Sequence, residues 1–460
     1  MKQSIVTILF TVLMSMVGIN ALGQTNQNVV ERTINVETAG TLPDLIPESE
    51  KYVIEFLTLT GELNGTDFRL LRDMAGCNYL GEKTVGKLKV LDFSEAKIVA
   101  GGEKYVDSDH IGRWGGNFRS SVEQDDVLPS HVFMGCNLTS VKISNRATAI
   151  GNWAFALLGN LSSFSIPNTV KTIGRRAFQE CSSLASVSIP ASVSSIADDA
   201  FIACNSISSV NVGSGNTIYD SRNNCNAIIE TATNTLILGC GNTIIPDDVV
   251  CIGDYAFMDR GGFTSLVLPN TLIKIGEYAF GYCTSLKSVK LPDGVTIIGP
   301  YAFEGCSALQ TINIPNEITT ISFAAFRRCS SLTSLHLPKT LTSIGDYAFQ
   351  RCNSLVSIDV DPDNQYFKSE SGILLNKEGT SILCYPAAKK GNSYRIPDNV
   401  TVIGKCAFGS CSNLASVNLH KGITTIGDYA FEYCSNLPSI TIPNNVTSKK
   451  HNFGVFNILA

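Results

Sequence analysis

The chain has 460 residues, 44% of them hydrophobic and 16% charged, with a formal net charge of −5. That composition supplies apolar surface for a substantial core and lacks the basic field that nucleic acid or an anionic lipid surface would demand. Length alone suggests two or three domains, but internal repetition overrides that count.

The opening MKQSIVTILFTVLMSMVGINALGQ places Lys2 ahead of an apolar run from Ile5 to Val17, with small residues Ala21 and Gly23 just before Gln24. This is the pattern of a secretory signal peptide over 1–23, cleaved after Gly23; the run is short for a spanning helix. No cysteine follows it for a lipid anchor, and no later apolar run is long enough to span a membrane. The mature chain is therefore expected to be exported: cell-surface, secreted or periplasmic.

Residues 24–126 follow no short period. KYVIEFLTLTG (51–61) and KLKVLDFSEAKI (87–98) read as strands, and GTDFRLLRDMAG (65–76) as a short helix capped by Thr66 or Asp67, with Phe68, Leu71 and Met74 on one face. A strand, a helix and a parallel strand are expected to form an N-terminal cap domain closing the open core of a repeat array over 127–460.

Within that array, phenylalanine returns at Phe133, Phe155, Phe178 and Phe201, at Phe257, Phe280, Phe303, Phe326 and Phe349, and at Phe408 and Phe431. The steps are 22 or 23 residues, apart from two of 56 and 59. Ile-Gly lies upstream, as in Ile173-Gly174 and Ile344-Gly345, and a strand-like segment downstream, as in LASVSIP (184–190). The unit L-x-S-V-x-I-P-x-x-V-x-x-I-G-x-x-A-F-x-x-C-x-S has the period of a leucine-rich-repeat solenoid. The expectation is a right-handed α/β-type superhelix, mostly β with short turns or 3-10 segments, around a parallel-strand sheet. No single turn can bury its own Leu, Val, Ile and Phe, so neighbours must share one core. Alternation should send Val187 and Ile189 inward and Ser186 and Ser188 outward. Proline ends most strands for want of an N–H, and the glycine after isoleucine suits either a positive φ or a close backbone approach.

Cysteine stands three places after phenylalanine at Cys136, Cys181, Cys204, Cys283, Cys306, Cys329, Cys352, Cys411 and Cys434, with Leu158 and Arg260 taking that place once each. It is expected to pack as a small buried hydrophobe. Parallel side chains in one column have poor geometry for bridging, so the ladder reads as reduced. Spacing does not decide which of Cys77, Cys225, Cys240, Cys251, Cys384 and Cys406 pair.

The two long steps hide enlarged units at about 205–250 and 353–400. Asn216 aligns with Asn364, Tyr219 with Phe367, Ser221 with Ser369 and Asn224 with Gly372, and in each unit two apolar runs flank a polar turn, the sign of a β-hairpin. The hairpins are expected to protrude from one edge, as structural bulges or as carriers of binding loops. In the second, Asp359, Asp361, Asp363 and Glu370 mimic calcium-loop spacing. Pro362, Asn364 in place of glycine, and a sister unit with Asn211, Gly213, Gly215 and Arg222 at the matching places favour a turn that forms without metal.

The histidines, His110, His131, His336, His420 and His451, come with no nucleophile motif, phosphate loop or metal-spaced cluster. No catalytic residue, cofactor or metal is expected, and DSDH (107–110) reads as a solvated turn. What remains is the outward face of the strands. A column of small hydroxyls runs from Ser140 through Ser288 to Ser439, and beside it stand Lys142, Ser165, Ser188, Asn211, Lys290, Asn313, His336, Asp359, Arg395, Asn418 and Thr441. A curved sheet with polar, varied side chains is what a solenoid offers a protein partner. The column has no aromatic platform, which counts against a glycan.

The repeat SLxSVxIPxxVxxIGxxAFxxC resembles the BspA-like leucine-rich-repeat proteins of Bacteroides-type bacteria, and LTLTGELNGTDFRLLRDMAG with LKVLDFSEAKIVAGG resembles the N-terminal region of Bacteroidetes members. The resemblance covers most of the mature chain. It implies an exported, often cell-surface protein, and for some members adhesion to host extracellular proteins; it supplies no catalytic residues. The chain departs from surface-anchored members in showing neither a lipidation cysteine nor a C-terminal sorting domain. The expected function is a non-catalytic recognition or adhesion module binding a protein ligand, with a structural component of the envelope as the alternative and an enzyme third.

Overall fold

A computed structural model of the protein describes residues 29–108 and 118–446, together with the strand pairing of 448–449 and 458–459. Residues 1–23, expected to form the signal peptide, and His110 and His451 lie outside the described residues. The parallel strands stack as a solenoid in which each repeat makes one three-sided turn.

The first side is the expected strand. Ser186–Ile189 pairs in parallel with Ser209–Val212, Ser265–Leu266 with Ser288–Val289 and then Thr311–Ile312, and Ser334–Leu337 with Ser357–Val360. Val187 and Ile189 are buried and Ser186 and Ser188 exposed, as alternation requires. Proline then turns the chain, its carbonyl accepting from the N–H three residues on, as Pro190 does from Val193 and Pro338 from Leu341.

The second side is a two-residue strand ending at the isoleucine of Ile-Gly, stacked in parallel from Cys251–Ile252 through Lys274–Ile275 and Ile297–Ile298 to Ser343–Ile344. Of the two expectations for its glycines, close approach is the operative one. A Cβ on Gly345 or Gly427 would lie 2.5 or 2.6 Å from a backbone nitrogen of the previous turn, and neither has a left-handed φ.

The third side carries the phenylalanine. Around every repeat phenylalanine except Phe201, where only Ala203 is left-handed, the residues two before and two after it are left-handed, as Tyr255 (φ 60°) and Asp259 (φ 58°) are around Phe257. Tyr278 and Tyr282 repeat this around Phe280, and Tyr347 and Arg351 around Phe349. Every second N–H is thereby aimed at the next turn: Tyr255, Phe257 and Asp259 donate to Glu277, Ala279 and Gly281 at 2.8 Å, while Ala256, Met258 and Arg260 donate back three residues. Each left-handed residue costs about 1 kcal/mol, a cost offset by pairing backbone groups that would otherwise be orphaned along this side.

Inside, the rings of Phe257, Phe280 and Phe303 stack with centroids 5.3 Å apart. The ladder cysteines do more than fill space. Cys283, Cys306 and Cys434 each donate the thiol to the carbonyl of the phenylalanine one turn earlier, Phe257, Phe280 and Phe408, at 3.0 Å. Arg260 takes over where the first enlarged unit interrupts the ladder. Fully buried, it reaches back to the carbonyls of Phe201 at 3.0 Å, Gly239 at 3.2 Å and Cys204.

Both enlarged units are three-stranded and antiparallel: Tyr219–Asp220, Ile228–Glu230 and Thr235–Leu238 in one, Phe367–Glu370, Ile373–Asn376 and Ser381–Cys384 in the other. They do not stand out from an edge. The last strand of each begins the second-side sheet of the turns that follow, and Ile228, Ile229, Leu236, Leu374 and Ile382 are buried. The expected alignment holds at Asn216 and Asn364, whose amides each donate to two carbonyls of the preceding turn. It holds also at Tyr219 and Phe367, which begin the first strand of each unit, and after that strand it slips by two, because the 3-10 segment Arg222–Asn224 lengthens the first unit. Left-handed Asn226, not Asn224, matches Gly372: the first accepts from Val210 N–H through its side chain, the second from Ile358 N–H through its carbonyl.

At the N-terminal end, Val30–Val36, Ile54–Leu63 and Val90–Ile98 run parallel and lead straight into Ser140–Lys142 of the first side. Helix Gly65–Met74 buries Phe68, Leu71 and Met74 as expected. Its cap is Asn64 rather than Thr66 or Asp67, because the Asp67 carboxylate is occupied in accepting the N–H groups of Asn64, Gly40 and Leu42. The first two residues of DSDH, Asp107 and Ser108, end a hairpin strand, Gly101–Ser108 paired with Phe118–Val122, and Asp107 pairs with Arg119 at 3.0 Å; 109 and 110 lie outside the described residues. The described repeats contain no α-helix.

Urea unfolding should register Cys306→Ala as a loss of about 2 kcal/mol, from a small cavity and an orphaned Phe280 carbonyl. Arg260→Met should cost about 3 kcal/mol, with three carbonyls left unpaired. A ladder that only filled space would tolerate Cys306→Ala at under about 1 kcal/mol.

Candidate functional site

All eleven outward residues of the strand face are exposed, but the fold does not assemble them into one surface. Among the described residues, no strand of the first side lies between Ser209–Val212 and Ser265–Leu266, or between Ser357–Val360 and Ser393–Arg395. At the first break Asn226 covers the free edge, accepting from Val210 N–H at 2.6 Å and donating to Ser208 C=O at 3.0 Å. The face thus falls into three patches.

The first holds Lys142, Ser165, Ser188 and Asn211. Lys142 is tied to Asp92 on the neighbouring strand at 2.8 Å, and Ser188 stands opposite Asn211. The last holds Arg395, Asn418 and Thr441, with Arg395 paired to Asp398 at 3.1 Å and opposite Asn418. The middle patch has a defined concavity. Ser288, Lys290, Thr311, Asn313, Ser334 and His336 line a shallow depression of about 570 Å³ floored by Val289 and Ile312. Asp359 stands opposite His336 on the next strand.

Asn313 is committed elsewhere. Its amide bonds both the N–H and the C=O of Leu291 at 2.8 Å, standing in for a strand backbone. That leaves Lys290, His336 and Asp359 as the exposed ionisable side chains of this patch, beside a row of hydroxyls repeating at roughly 4.8 Å.

The calcium-like turn is built around Asn364, which is buried, donates to Pro338 and Leu341 carbonyls and accepts from the N–H groups of Tyr366 and Phe367. Among the described residues no group of three or more His, Cys, Asp or Glu could hold a metal. His131 lies 2.9 Å from the Ser120 hydroxyl through Nδ1, but burial, helped by the Arg72 cation, holds its pKa down to about 4. An imidazole so weakly basic is a poor general base at neutral pH. His420 spends both ring nitrogens on backbone, at Pro397 and Gly422.

The third side holds an aromatic column that the strand face lacks. Tyr255, Tyr278 and Tyr301 stack at 5.7 and 4.4 Å, and Phe323, Tyr347 and Tyr429 continue it in tilted or edge-on contacts. Its sequence signal is an acid and a tyrosine before Ala-Phe, as in Asp254-Tyr255 and Asp346-Tyr347. Rings stacked face to face show solvent mainly their edges and hydroxyls, which makes them a poor platform for a sugar ring.

The model of the BspA-type leucine-rich-repeat region matches in six copies, over residues 124–234, 250–371 and 384–457. The gaps fall in the enlarged units. No curated protein matches the chain. Among solved structures it is similar to a leucine-rich cell-surface protein of Faecalibacterium prausnitzii, at 26% identity over 60% of this chain and 72% of that one, with a TM-score of 0.42. It is also similar to leucine-rich-repeat proteins of Eubacterium ventriosum (20%, 76% and 83%, TM-score 0.49) and Bacteroides ovatus (22%, 78% and 80%, TM-score 0.37). No helix among the described residues is long and apolar enough to cross a membrane.

Two stability measurements check these assignments. In urea, Asn313→Ala should cost about 1 kcal/mol, whereas Lys290→Ala and His336→Ala should stay within about 0.5 kcal/mol of the parent. His131 titrates near 6.5 when unfolded and about 4 when folded, so the unfolded state binds more protons between those values. Its contribution is present above pH 6.5 and is lost as the pH falls toward 4. His131→Gln should flatten the stability profile in that window, and an unchanged slope would contradict the assignment.

Proposed function

Because the chain belongs to the BspA-type leucine-rich-repeat family, we propose that it is a non-catalytic recognition or adhesion module of the bacterial envelope or surface. In this reading residues 1–23 direct export, 24–126 cap the solenoid, and 127–460 present the binding face, closed by a partial C-terminal repeat. The observation that carries it is the middle patch, where Lys290, His336 and Asp359 stand exposed beside the depression lined by Ser288, Thr311 and Ser334. Charges of both signs over a shallow apolar floor suit a protein segment better than a small molecule, which needs deeper enclosure. Host extracellular proteins are the first class of partner to screen. The hairpins, being part of the core, leave recognition to the strands.

The purified mature chain, screened against an array of extracellular-matrix proteins, should retain a partner whose binding Lys290→Glu with His336→Ala weakens at least tenfold without changing the unfolding midpoint. Arg395→Glu should leave that binding within a factor of about two. Capture only of envelope proteins or of further copies of the chain would replace adhesion with a structural role. On intact cells the protein should be digested by added protease or found in the medium; protection until the envelope is permeabilised would rule out a host ligand.

A further inference from the structure

The thiol ladder has a defect at its first turn. Cys136 has no phenylalanine carbonyl behind it; the Arg72 carbonyl lies 4.0 Å away, against 3.0 Å for the bond from Cys306 to Phe280. Its thiol adjoins that of Cys77, just past helix Gly65–Met74, and both are buried free thiols. Backbone pairing brings them together. Asn137 N–H donates to Ala75 C=O at 2.8 Å, and a Cβ on Gly76 would meet the Asn137 amide at 2.4 Å. The two cysteines come from different elements, unlike the ladder thiols, which stack as parallel side chains of successive turns.

A second observation concerns Arg72. Its guanidinium is fully buried and donates to the carbonyls of His131, Val132, Met134 and Asn78 at 3.0 to 3.3 Å, and to Cys77 Sγ at 3.4 Å, while Nε finds no acceptor. Among the described residues no carboxylate is ion-paired with it. The carbonyls leave its charge without an anion, and of the groups touching it only the Cys77 sulfur can become one. The electrostatics agree. The Cys136 S–H, then the Arg72 and Lys83 cations, draw the Cys77 thiol down to about 6 against burial and Asp73, while burial and Cys77 push Cys136 well up.

We propose that in the reduced chain Cys77 is the thiolate counter-ion of Arg72, and that Cys77 and Cys136 form a modification site, a dithiol whose closure to a disulfide ties the N-terminal segment to the first repeat in place of that ion pair. The oxidant is a disulfide of the glutathione class. The Cys77 thiolate attacks one oxidant sulfur and expels a thiolate, which takes the Cys136 proton. The Cys136 thiolate then attacks the Cys77 sulfur and expels the second half, which takes its proton from solvent. Two electrons pass to the oxidant, one S–S bond forms and one is broken. Since both sulfurs are buried in the folded chain, the exchange belongs to folding, before the first repeat closes on the helix. The ladder thiols, each engaged with a carbonyl, stay reduced.

The site goes beyond the recognition role, and a failed cross-link would leave that role intact. The full mature chain is refolded from urea in a glutathione and glutathione-disulfide buffer, denatured, alkylated with iodoacetamide and analysed by mass. Two of the fifteen cysteines should escape alkylation, and a non-reducing digest should contain one cross-linked peptide joining 77 to 136, split by dithiothreitol. Alkylation of all the cysteines, or cross-links between other pairs, would overturn the disulfide. The counter-ion role is read separately in the reduced protein. Arg72→Met should lower the folding constant at least tenfold less in a Cys77→Ala background than in the parent, and an equal loss in both would overturn it.

Discussion

The carbonyl of the repeat phenylalanine is the constraint on which the solenoid depends. Phe303 C=O accepts the N–H of Cys306 in its own turn at 3.2 Å and the thiol of Cys329 from the next at 3.2 Å. One oxygen thereby closes a turn and joins two turns. The left-handed residues on either side make this possible by sending alternate N–H groups along the solenoid axis, which leaves the phenylalanine carbonyl to be satisfied from inside. The inner position must then be small, tolerant of an apolar surround and able to donate one weak hydrogen bond, which describes a thiol.

Where the phenylalanine turn is interrupted, the same constraint dictates the repair. After the first enlarged unit no ladder cysteine can reach Phe201, and Arg260 spans the gap to hold its carbonyl. At the start of the repeats Arg72 does the same for the carbonyls of the turn around Phe133. The second enlarged unit avoids a buried cation by supplying an aromatic of its own: Tyr385 stacks on Phe408 at 5.1 Å and its carbonyl accepts Cys411 at 3.6 Å. There the turn at 405–410 carries Cys406, Gly409 and Ser410 where its neighbours carry larger side chains, and the flanking turns meet over it. Gln350 donates to Glu432 at 2.6 Å, Arg351 pairs with Glu432 at 3.7 Å and Tyr347 contacts Tyr429. The core divides accordingly, the middle cluster ending and the last beginning within the second enlarged unit.

The period, the strands, their inward and outward residues and the stacked core were legible because they follow from alternation and from turn length, which the sequence spells directly. Leu158 and Arg260 in the cysteine position also carried information: an apolar and a cationic substitute share only burial and, for arginine, the ability to donate to carbonyls. The left-handed pairs were not legible, since Tyr, Arg, Asp and Ala all occupy them and glycine marks the place only at Gly135 and Gly305. The hairpins were recognisable as hairpins, but their alternation does not say which sheet they join. The slip between Asn224 and Asn226 was hidden because Asn226 does with its side chain what Gly372 does with its backbone. Register placed the candidate residues on the outward face, yet register does not reveal that Asn313 is engaged with Leu291 or that the face is broken twice.

The division of labour among the three sides decides where recognition chemistry can vary. On the third side Tyr, Gln, Glu and Arg are tied to neighbouring turns through rings and ion pairs, and on the second the glycines are fixed by backbone contact. On the first side the strands hold each other through backbone alone, so an outward side chain has no duty unless it takes one up, as Asn313 and Lys142 do. Lys290, His336 and Asp359 have taken up none that fixes the fold, and the depression beside them lies in the middle segment, between the two enlarged units. A repeat protein that must keep every turn identical inside and yet bind something particular has this one column free to differ. The difference between an ordinary turn and a recognising one is therefore two or three side chains on a scaffold that their replacement would leave standing.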